Sequence, residues 1–334
     1  MNYCQVIDNF LNLYEPIGHK LKEGDFSHIQ ALVRHIFGEQ YELGMDYLQL
    51  LYLQPVQKLP ILLLVSEERN TGKSTFLNFL KAVFRNNVTF NTNEDFRSQF
   101  NADWAGKLVI VVDEVLLNRR EDSERLKNLS TTLSYKVEAK GKDRDEIAFF
   151  AKFVLCSNNE SLPVIIDPGE TRYWVRKIHR LESDDTNFLQ KLTTEIPAFL
   201  YFLQHRELTT RQESRMWFSP KLTETPALLR IIKCNRGRYE VEAMELIREI
   251  MDNMGIESFS FCLNDLLNLL NLSGVKIEKH QLRRIVTESW KLTPAPNGLT
   301  YTSYQFEYNK ERRFAPIRRV GRYYTISRSL LDEL

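Results

Sequence analysis

The chain has 334 residues, of which 43% are hydrophobic and 27% charged, a balance that excludes a largely disordered protein and predicts about two domains. Lysine and arginine together number 45 and aspartate and glutamate 44, so the net charge of +1 excludes a protein that is basic over its whole surface. The four cysteines are far apart in the sequence, which excludes a zinc finger and a disulfide framework.

Residues 1–58 are predicted to form a helical lead-in, because apolar residues recur there at helical spacing. No basic segment followed by an apolar run stands at the N-terminus, as a secretory signal would require. The longest apolar stretches of the chain are far shorter than the roughly 20 residues that span a bilayer. We therefore expect a cytoplasmic protein without membrane contact.

Short continuous apolar runs begin after Pro60 and predict strands that are buried on both faces of a sheet. Helical stretches separate these runs, and strands that alternate with helices are typical of an α/β domain with a mainly parallel sheet. We assign this domain to residues 59–208. The predicted strands are 61–65, 108–112, 153–156 and 173–179.

The segment 209–239 is polar and contains proline, which favours a loop or linker. Residues 240–334 are predicted to form a separate small domain, in which three helices precede a glycine- and proline-containing turn and a strand. This order is typical of a winged helix-turn-helix. The helices are predicted at 241–251, 263–272 and 278–290, and the strand at 300–308.

A phosphate-binding loop is predicted between the first buried strand and the helix that begins near Lys73. Backbone N–H groups of such a loop point at phosphates, Lys73 would add a positive charge, and the Ser74 hydroxyl would bind Mg²⁺. Glu67 stands where the usual pattern has its first glycine, so a chance Gly-Lys-Ser-Thr at a strand-to-helix turn is the alternative. The predicted nucleotide-binding residues are Asn70, Thr71, Gly72, Lys73, Ser74 and Thr75.

Two adjacent acids, Asp113 and Glu114, follow the second buried strand, which is the arrangement of a Walker B element. Asp113 would hold Mg²⁺ and Glu114 would polarise the attacking water, so the pair favours hydrolysis over nucleotide binding alone. The alternative is an ordinary strand that ends in solvated acids. The preceding Gly-Lys-Ser-Thr sequence favours the Walker B interpretation.

The third and fourth predicted strands add two candidate catalytic residues. Asn158 follows the third strand and could orient the water near the γ-phosphate, although asparagine is also common at turns and helix caps. Arg172 precedes the fourth strand and could reach the nucleotide of a neighbouring subunit, as an arginine finger does. A surface arginine in a salt bridge is the alternative, and Arg176 competes for the same role.

The segment Lys140–Arg144 places Lys140, Lys142 and Arg144 around a glycine between two apolar stretches. A turn of this kind presents positive charges at its tip, where they can contact nucleic-acid phosphates without sequence preference. A solvated hairpin turn is the alternative. The nucleotide-binding motifs around it favour the DNA-contacting interpretation.

Together these motifs resemble the superfamily-three helicases of the AAA+ class, in particular the helicase part of phage, plasmid and poxvirus primase-helicases. The order and spacing of the motifs match as well, over about residues 30–205. The matching segments are Thr71–Phe76, Phe100–Asn101, Val112–Glu114, Glu138–Lys142, Ser157–Asn158 and Arg172. The resemblance implies an AAA+-like P-loop ATPase core that uses ATP and Mg²⁺ in a hexameric ring, which threads single-stranded DNA.

The resemblance also implies individual roles. Asn158 would be the sensor, Arg172 the finger acting in trans, and Lys140 and Lys142 would lie near the tip of a hairpin that lines the channel. Glu67 and Arg69 depart from the glycine-rich pattern of the family's loop. The lead-in is too short to hold a primase, so we expect any primase to be a separate protein or to be absent.

The C-terminal domain is predicted to contact duplex or forked DNA, because residues 301–330 hold seven lysines and arginines against two glutamates, interleaved with aromatic residues. Arg283 and Arg284 on the third predicted helix would join this basic surface. A protein-docking role is the alternative for a winged helix.

The leading hypothesis is therefore an ATP-dependent DNA helicase or replication initiator of a phage or other mobile element, acting in a bacterium or an infected host cell. A different P-loop phosphotransferase, such as a small-molecule kinase, is the first alternative. A nucleotide-binding DNA switch without turnover is the second. ATPase activity that single-stranded DNA stimulates would distinguish the first hypothesis from both.

Overall fold

The computed structural model describes residues 6–7, 10–11, 17–98, 104–117, 119–137, 145–167, 169–181, 185–309 and 312–334. The chain divides into two compact units, Met1–Cys234 and Asn235–Leu334. No helix among the residues so described is long and apolar enough to cross a membrane.

The first unit opens with a short antiparallel pair, β1 (Val6–Ile7) and β2 (Phe10–Leu11). Its further elements are, in chain order, α1 (Ser27–Phe37), α2 (Tyr41–Leu53), β3 (Ile61–Val65), α3 (Lys73–Phe84), β4 (Val88–Asn91), α4 (Asn93–Arg97), β5 (Val109–Val112), α5 (Arg120–Thr131), β6 (Ser134–Val137), β7 (Asp145–Ala148), β8 (Lys152–Ser157), β9 (Tyr173–Lys177), α6 (Phe188–His205), α7 (Pro220–Thr223) and α8 (Pro226–Cys234).

The centre of this unit is a five-stranded sheet in the order β4–β5–β8–β3–β9, and every neighbouring pair of strands is parallel. All five strands therefore end at the same edge. The four strands predicted from sequence are present within one or two residues of their expected bounds. The edge strand β4 was not predicted, because it is only four residues long and its two middle residues are partly exposed.

Both faces of the sheet are covered, which explains why its strands are continuously apolar. Alternate side chains of β3 show the division: Leu62 and Leu64 pack with α1, α2, α3 and α6, whereas Leu63 packs on the other face. That second face is closed by α5, α8 and the antiparallel pair β6–β7. The α/β fold class with a mainly parallel sheet is thus confirmed.

Much of the segment interpreted as a linker packs on this unit. Thr209 and Thr210 both donate hydrogen bonds to the buried carboxylate of Asp46 on α2, and the side chains of Trp217 and Phe218 lie in the core with α1 and α2. Residues 226–234 form α8, whose apolar side chains cover the sheet. The polar composition concealed this packing, which depends on a few buried apolar residues such as Met216, Trp217 and Phe218.

The second unit has the order helix, strand, two helices and a strand hairpin that is typical of a winged helix-turn-helix. Its elements are α9 (Arg238–Met254), β10 (Ser258–Phe261), α10 (Leu263–Leu272), α11 (Lys279–Arg284), β11 (Leu299–Asn309), β12 (Arg312–Gly321), β13 (Tyr324–Ser327) and α12 (Arg328–Glu333). Strands β11 and β12 form the antiparallel hairpin, and β10 pairs with β13. The three predicted helices are present, whereas the short strands β10 and β13 were not predicted.

Candidate nucleotide site

The loop between β3 and α3, where the sequence predicts phosphate binding, contains two residues in the left-handed region. Asn70 and Gly72 have φ of 58° and 77°, a left-handed conformation that asparagine tolerates and glycine adopts freely. The loop is held from two sides: His35 Nε2 lies 2.9 Å from the carbonyl oxygen of Thr71, and the N–H of Leu181 donates to the carbonyl of Asn70 at 2.9 Å. The expected loop therefore has a defined conformation.

Lys73 is the first residue of α3, and its side chain is buried. Its Nζ donates to the carbonyl of Ser66 at 3.2 Å, which occupies one of the three donors of an ammonium group. Burial lowers the pKa of Lys73 below its ordinary value, and the nearby acids Asp113 and Glu160 offset part of this effect. A buried ammonium group with donors still available is the kind of group that an anionic phosphate would stabilise.

Ser74 and Asp113, the two residues expected to bind Mg²⁺, are brought together. Ser74 Oγ donates to Asp113 Oδ2 at 2.9 Å, although the residues lie on different elements, α3 and the turn after β5. Parallel pairing of the strands places both at the carboxyl edge of the sheet. A hydroxyl and a carboxylate at this distance form a donor set of the kind that Mg²⁺ takes together with phosphate oxygens.

Glu114 is exposed and has φ of 56°, which is unusual for a residue with a Cβ. Its carbonyl accepts a hydrogen bond from Asn93 Nδ2 at 3.1 Å, and its N–H donates to Asp113 Oδ1 at 3.1 Å. Asn158 Nδ2 lies 3.5 Å from Glu114 Oε1, so the two residues are adjacent, with a long and weak hydrogen bond. The candidate catalytic acid and the candidate sensor therefore face the same space beside Asp113.

Sequence reasoning missed Glu160, a buried carboxylate under the loop. It accepts the N–H of Glu67 at 3.1 Å and forms salt bridges with Lys177 at 2.9 Å and with Arg230 at 3.0 Å. Burial raises the pKa of Glu160, but hydrogen bonds from Lys177 and the Glu67 N–H and the charges of Lys177 and Arg230 outweigh it, so the pKa lies below its ordinary value. No local sequence pattern marks this role, because its partner Arg230 lies 70 residues further along the chain.

Arg172 lies just before β9, at the opposite edge of the sheet from the nucleotide loop. Its carbonyl accepts the N–H of Ile61, the first residue of β3. Its Nη1 donates to both carboxylate oxygens of Glu170, at 2.9 and 2.7 Å, and 31% of its side chain is exposed. A strand of five residues spans roughly 15 Å, so Arg172 is too far from the loop of its own chain to contact a phosphate there.

Arg176 is in a different situation, with only 8% of its side chain exposed. Its guanidinium donates to Glu39 Oε1 at 2.7 Å and to Gln40 Oε1 at 2.9 Å, both of which follow α1. The side chain therefore ties β9 to the helical lead-in. This arrangement favours Arg172 over Arg176 as the arginine that a neighbouring subunit could meet.

The candidate DNA-binding residues fall into two groups. Lys140, Lys142 and Arg144 lie outside the described residues, between β6 and β7. Arg283 and Arg284 are exposed on α11 in the second unit. Arg284 Nε forms an ion pair with Glu288 at 3.4 Å, whereas no salt bridge is formed by Arg283 within the described part of the chain.

Comparisons with known proteins agree with this fold. A family of unknown function, DUF5906, matches residues 64–176, which hold the loop, both acids and Asn158. No curated protein matches the sequence.

Among solved structures, an apo structure of the NrS-1 C-terminal region (305-718) is similar with a TM-score of 0.66 and 18% identity, covering 94% of this chain and 80% of that one. A further apo form of the same region has a TM-score of 0.65 and 17% identity, covering 95% and 82%. The likeness at these identities shows the fold, over nearly the whole chain.

Proposed function

We propose that this chain is an ATP-dependent DNA helicase or replication initiator of a phage or other mobile element. The observation that carries the proposal is the convergence of Lys73, Ser74, Asp113, Glu114 and Asn158 at the carboxyl edge of one parallel sheet. These residues come from two strand ends and one helix, and each has the chemistry that a step of ATP hydrolysis requires.

In this proposal the loop amides and Lys73 bind the phosphates of ATP. Ser74 and Asp113 hold Mg²⁺, which would neutralise charge that develops on the phosphate oxygens. Glu114 accepts a proton from the attacking water, and Asn158 orients that water through its amide. The fixed positions of these groups in the folded chain reduce the reorganisation that the reaction needs.

The position of Arg172 supports an assembly in which subunits share their sites. A finger that lies at the far edge of its own sheet can act only on the nucleotide of a neighbour. We therefore propose a ring, with six subunits as in the family that the sequence resembles. Lys140, Lys142 and Arg144 would contact the backbone of single-stranded DNA in its channel, and the second unit would contact duplex or forked DNA.

The test is ATP hydrolysis with and without single-stranded DNA, alongside strand displacement from a forked duplex. The Lys73→Ala variant should lose nucleotide binding and both activities, because the phosphates lose the buried cation of the loop. Lys191→Ala is the matched control, since Lys191 is an exposed lysine on α6 that pairs with Asp185. Hydrolysis that DNA does not stimulate, with phosphate transfer to a small molecule, would contradict the proposal in favour of a kinase.

A further inference from the structure

A pocket of about 270 Å³ opens on the second unit, where three positive side chains from two elements converge. Lys279 and Arg283 are one turn apart on α11, and Arg322 lies in the connection between β12 and β13. Leu263 and Asn264, in the first turn of α10, complete one wall. The N-terminus of a ten-residue helix adds partial positive charge to the same space.

The acids near this pocket are already engaged. Asp265, also in the first turn of α10, accepts hydrogen bonds from the Tyr301 hydroxyl and the Cys262 N–H and pairs with Arg319 at 3.2 Å. Burial raises the pKa of Asp265, but these hydrogen bonds outweigh it, so its pKa lies below the ordinary value and it remains ionised. The carboxylate of Asp265 therefore interacts with Arg319 and Tyr301 rather than with the cations of the pocket.

The pocket cations lack the carboxylate partners that several other arginines of this unit have within the described residues. Arg284, Arg313, Arg319 and Arg328 all form ion pairs with acids of the same unit. Lys279, Arg283 and Arg322 form no salt bridge within the residues that the structure describes. Arg322 is instead positioned by a hydrogen bond from its Nε to the carbonyl of Ala295, at 3.1 Å. Part of the positive charge of this unit is thus neutralised internally, whereas the three cations of the pocket are not paired in this way among the described residues.

We propose that this pocket binds one backbone phosphate of duplex DNA, through Lys279, Arg283 and Arg322. The inference rests on the proposed DNA-dependent function and assigns the contact to a specific place. A phosphate fits better than a base, because Tyr324 is the pocket's one aromatic ring among the described lining residues, and it is buried. The contact should therefore be independent of DNA sequence.

The adjacent arginines of α11 supply a matched pair for the test. Both side chains are exposed on the same helix, but Arg283 lines the pocket and Arg284 is paired with Glu288. Affinity of the full chain for a fluorescein-labelled duplex would be measured by anisotropy across a chloride titration. Each phosphate contact on duplex DNA contributes about −0.9 to the slope of log K against log salt.

Arg283→Ala should weaken the duplex affinity about tenfold at low salt, and the triple change of Lys279, Arg283 and Arg322 to Ala should reduce the slope by about 0.9. Arg284→Ala should change both the affinity and the slope clearly less than Arg283→Ala does, because Arg284 is already paired with Glu288. Equal effects of Arg283→Ala and Arg284→Ala, or no effect of either, would overturn the assignment. Thermal melting of each variant would identify any that fail to fold, and Arg283→Lys should then restore most of the affinity.

Two further results separate this inference from its premises. Displacement of the duplex by inorganic phosphate, at an ionic strength matched with chloride, would show a site for a small free anion and overturn the DNA assignment. If the parent protein itself bound no DNA, the proposed function would fail, whatever the variants did. If the triple variant keeps ATPase activity that single-stranded DNA stimulates and loses no duplex affinity, the result would contradict the pocket assignment but not the proposed function.

Discussion

Glu114 combines an unusual backbone with a catalytic assignment. A left-handed residue with a Cβ costs about 1–2 kcal/mol, and this cost is retained where surrounding contacts determine the conformation. Here the contacts are the hydrogen bond from Asn93 to the Glu114 carbonyl and the one from the Glu114 N–H to Asp113. Together they direct the carboxylate toward Asn158 and away from the sheet.

Glu114→Gln should therefore keep ATP binding and stop turnover, because the amide has the same shape but cannot accept a proton from water. We expect a loss of at least a hundredfold in the hydrolysis rate, the usual size of a general-base effect. Nucleotide affinity by fluorescence titration and phosphate release would be measured on the same preparation. Hydrolysis at the parental rate would show that Glu114 is not the catalytic base.

Glu170 positions Arg172 through four hydrogen bonds, since its carboxylate also accepts the backbone N–H groups of Thr171 and Arg172, each at 3.0 Å. Glu170→Gln should keep part of this network and lose the charge that orients the guanidinium. We expect a fall of about tenfold in the hydrolysis rate of the assembled protein with little change in ATP affinity, because misplaced groups lower the rate of the chemical step.

Glu124→Gln is the control for the Glu170 variant, because Glu124 is a half-exposed acid that pairs with Lys127 nearby. A Glu170→Gln variant that hydrolyses ATP like the control would leave Glu170 with a purely structural role. The result would also weaken the case for Arg172 as the finger.

At the residue scale, the sequence predicted four residues of the candidate site from local patterns. Lys73 and Ser74 belong to the loop motif itself, and Asp113 and Glu114 directly follow the next apolar strand. It could not identify Glu160 and Arg230. These two residues pair with each other, and Arg230 lies on α8, far along the chain from the loop. No local sequence pattern indicates a contact between segments so distant in sequence.

At the scale of elements, the pair β6–β7 is anchored by two buried lysines. Lys58 Nζ donates to the carbonyl of Phe149 at 2.8 Å, and Lys152 Nζ donates to that of Phe150 at 2.8 Å and to that of Pro55. Both carbonyls follow β7, so the lysines fix the base of the hairpin that would carry Lys140 and Lys142. Burial, assisted by the charge of Arg215, lowers the pKa of Lys58 to about 8.

The depressed pKa of Lys58 predicts a pH dependence of stability. Between about pH 8 and the ordinary value of 10.5, the folded chain loses this proton while the unfolded chain keeps it. The free energy of unfolding should therefore rise with pH in this window. The gain in stability is complete only above pH 10.5, where the unfolded chain has also lost the proton. Between about pH 7.5 and 9.5, deprotonation of Lys58 should raise the free energy of unfolding by about 2 kcal/mol.

Urea titrations at these two pH values, followed by tryptophan fluorescence, would measure this contribution. Lys58→Met should lack it, so the stability difference between parent and variant should change by about 2 kcal/mol between the two pH values. Lys107→Met is the control, because Lys107 also donates to a backbone carbonyl, that of Asn86 at 2.7 Å, but is less buried. An identical pH response in parent and Lys58→Met would contradict the argument.

The helices and strands that sequence analysis recovered are those with strong periodicity or continuous apolar runs. Strand β4 and the short strands β10 and β13 were missed because each has four residues that mix buried with exposed positions, unlike the fully buried β5 of the same length. Their positions are set by partners distant in sequence: β4 pairs with β5, and β10 with β13. Such strands acquire their structure from tertiary pairing, which local composition does not encode.

At the scale of the whole molecule, composition predicted two domains, and the boundary between the two observed units falls at Cys234. The net charge of +1 gave no indication of the unpaired cations on α11, because charge totals do not show which arginines are neutralised by neighbours. Assembly is the remaining property at this scale. We propose it on the placement of Arg172 and Glu114 at opposite edges of one sheet.

The most direct test of shared sites is a mixing experiment with two inactive variants. Arg172→Ala keeps an intact Glu114, and Glu114→Gln keeps an intact Arg172. If the finger acts in trans, mixing Arg172→Ala with an excess of Glu114→Gln should restore ATP hydrolysis, through interfaces that pair an intact acid with an intact arginine. No recovery in oligomers shown to have exchanged subunits would contradict the account.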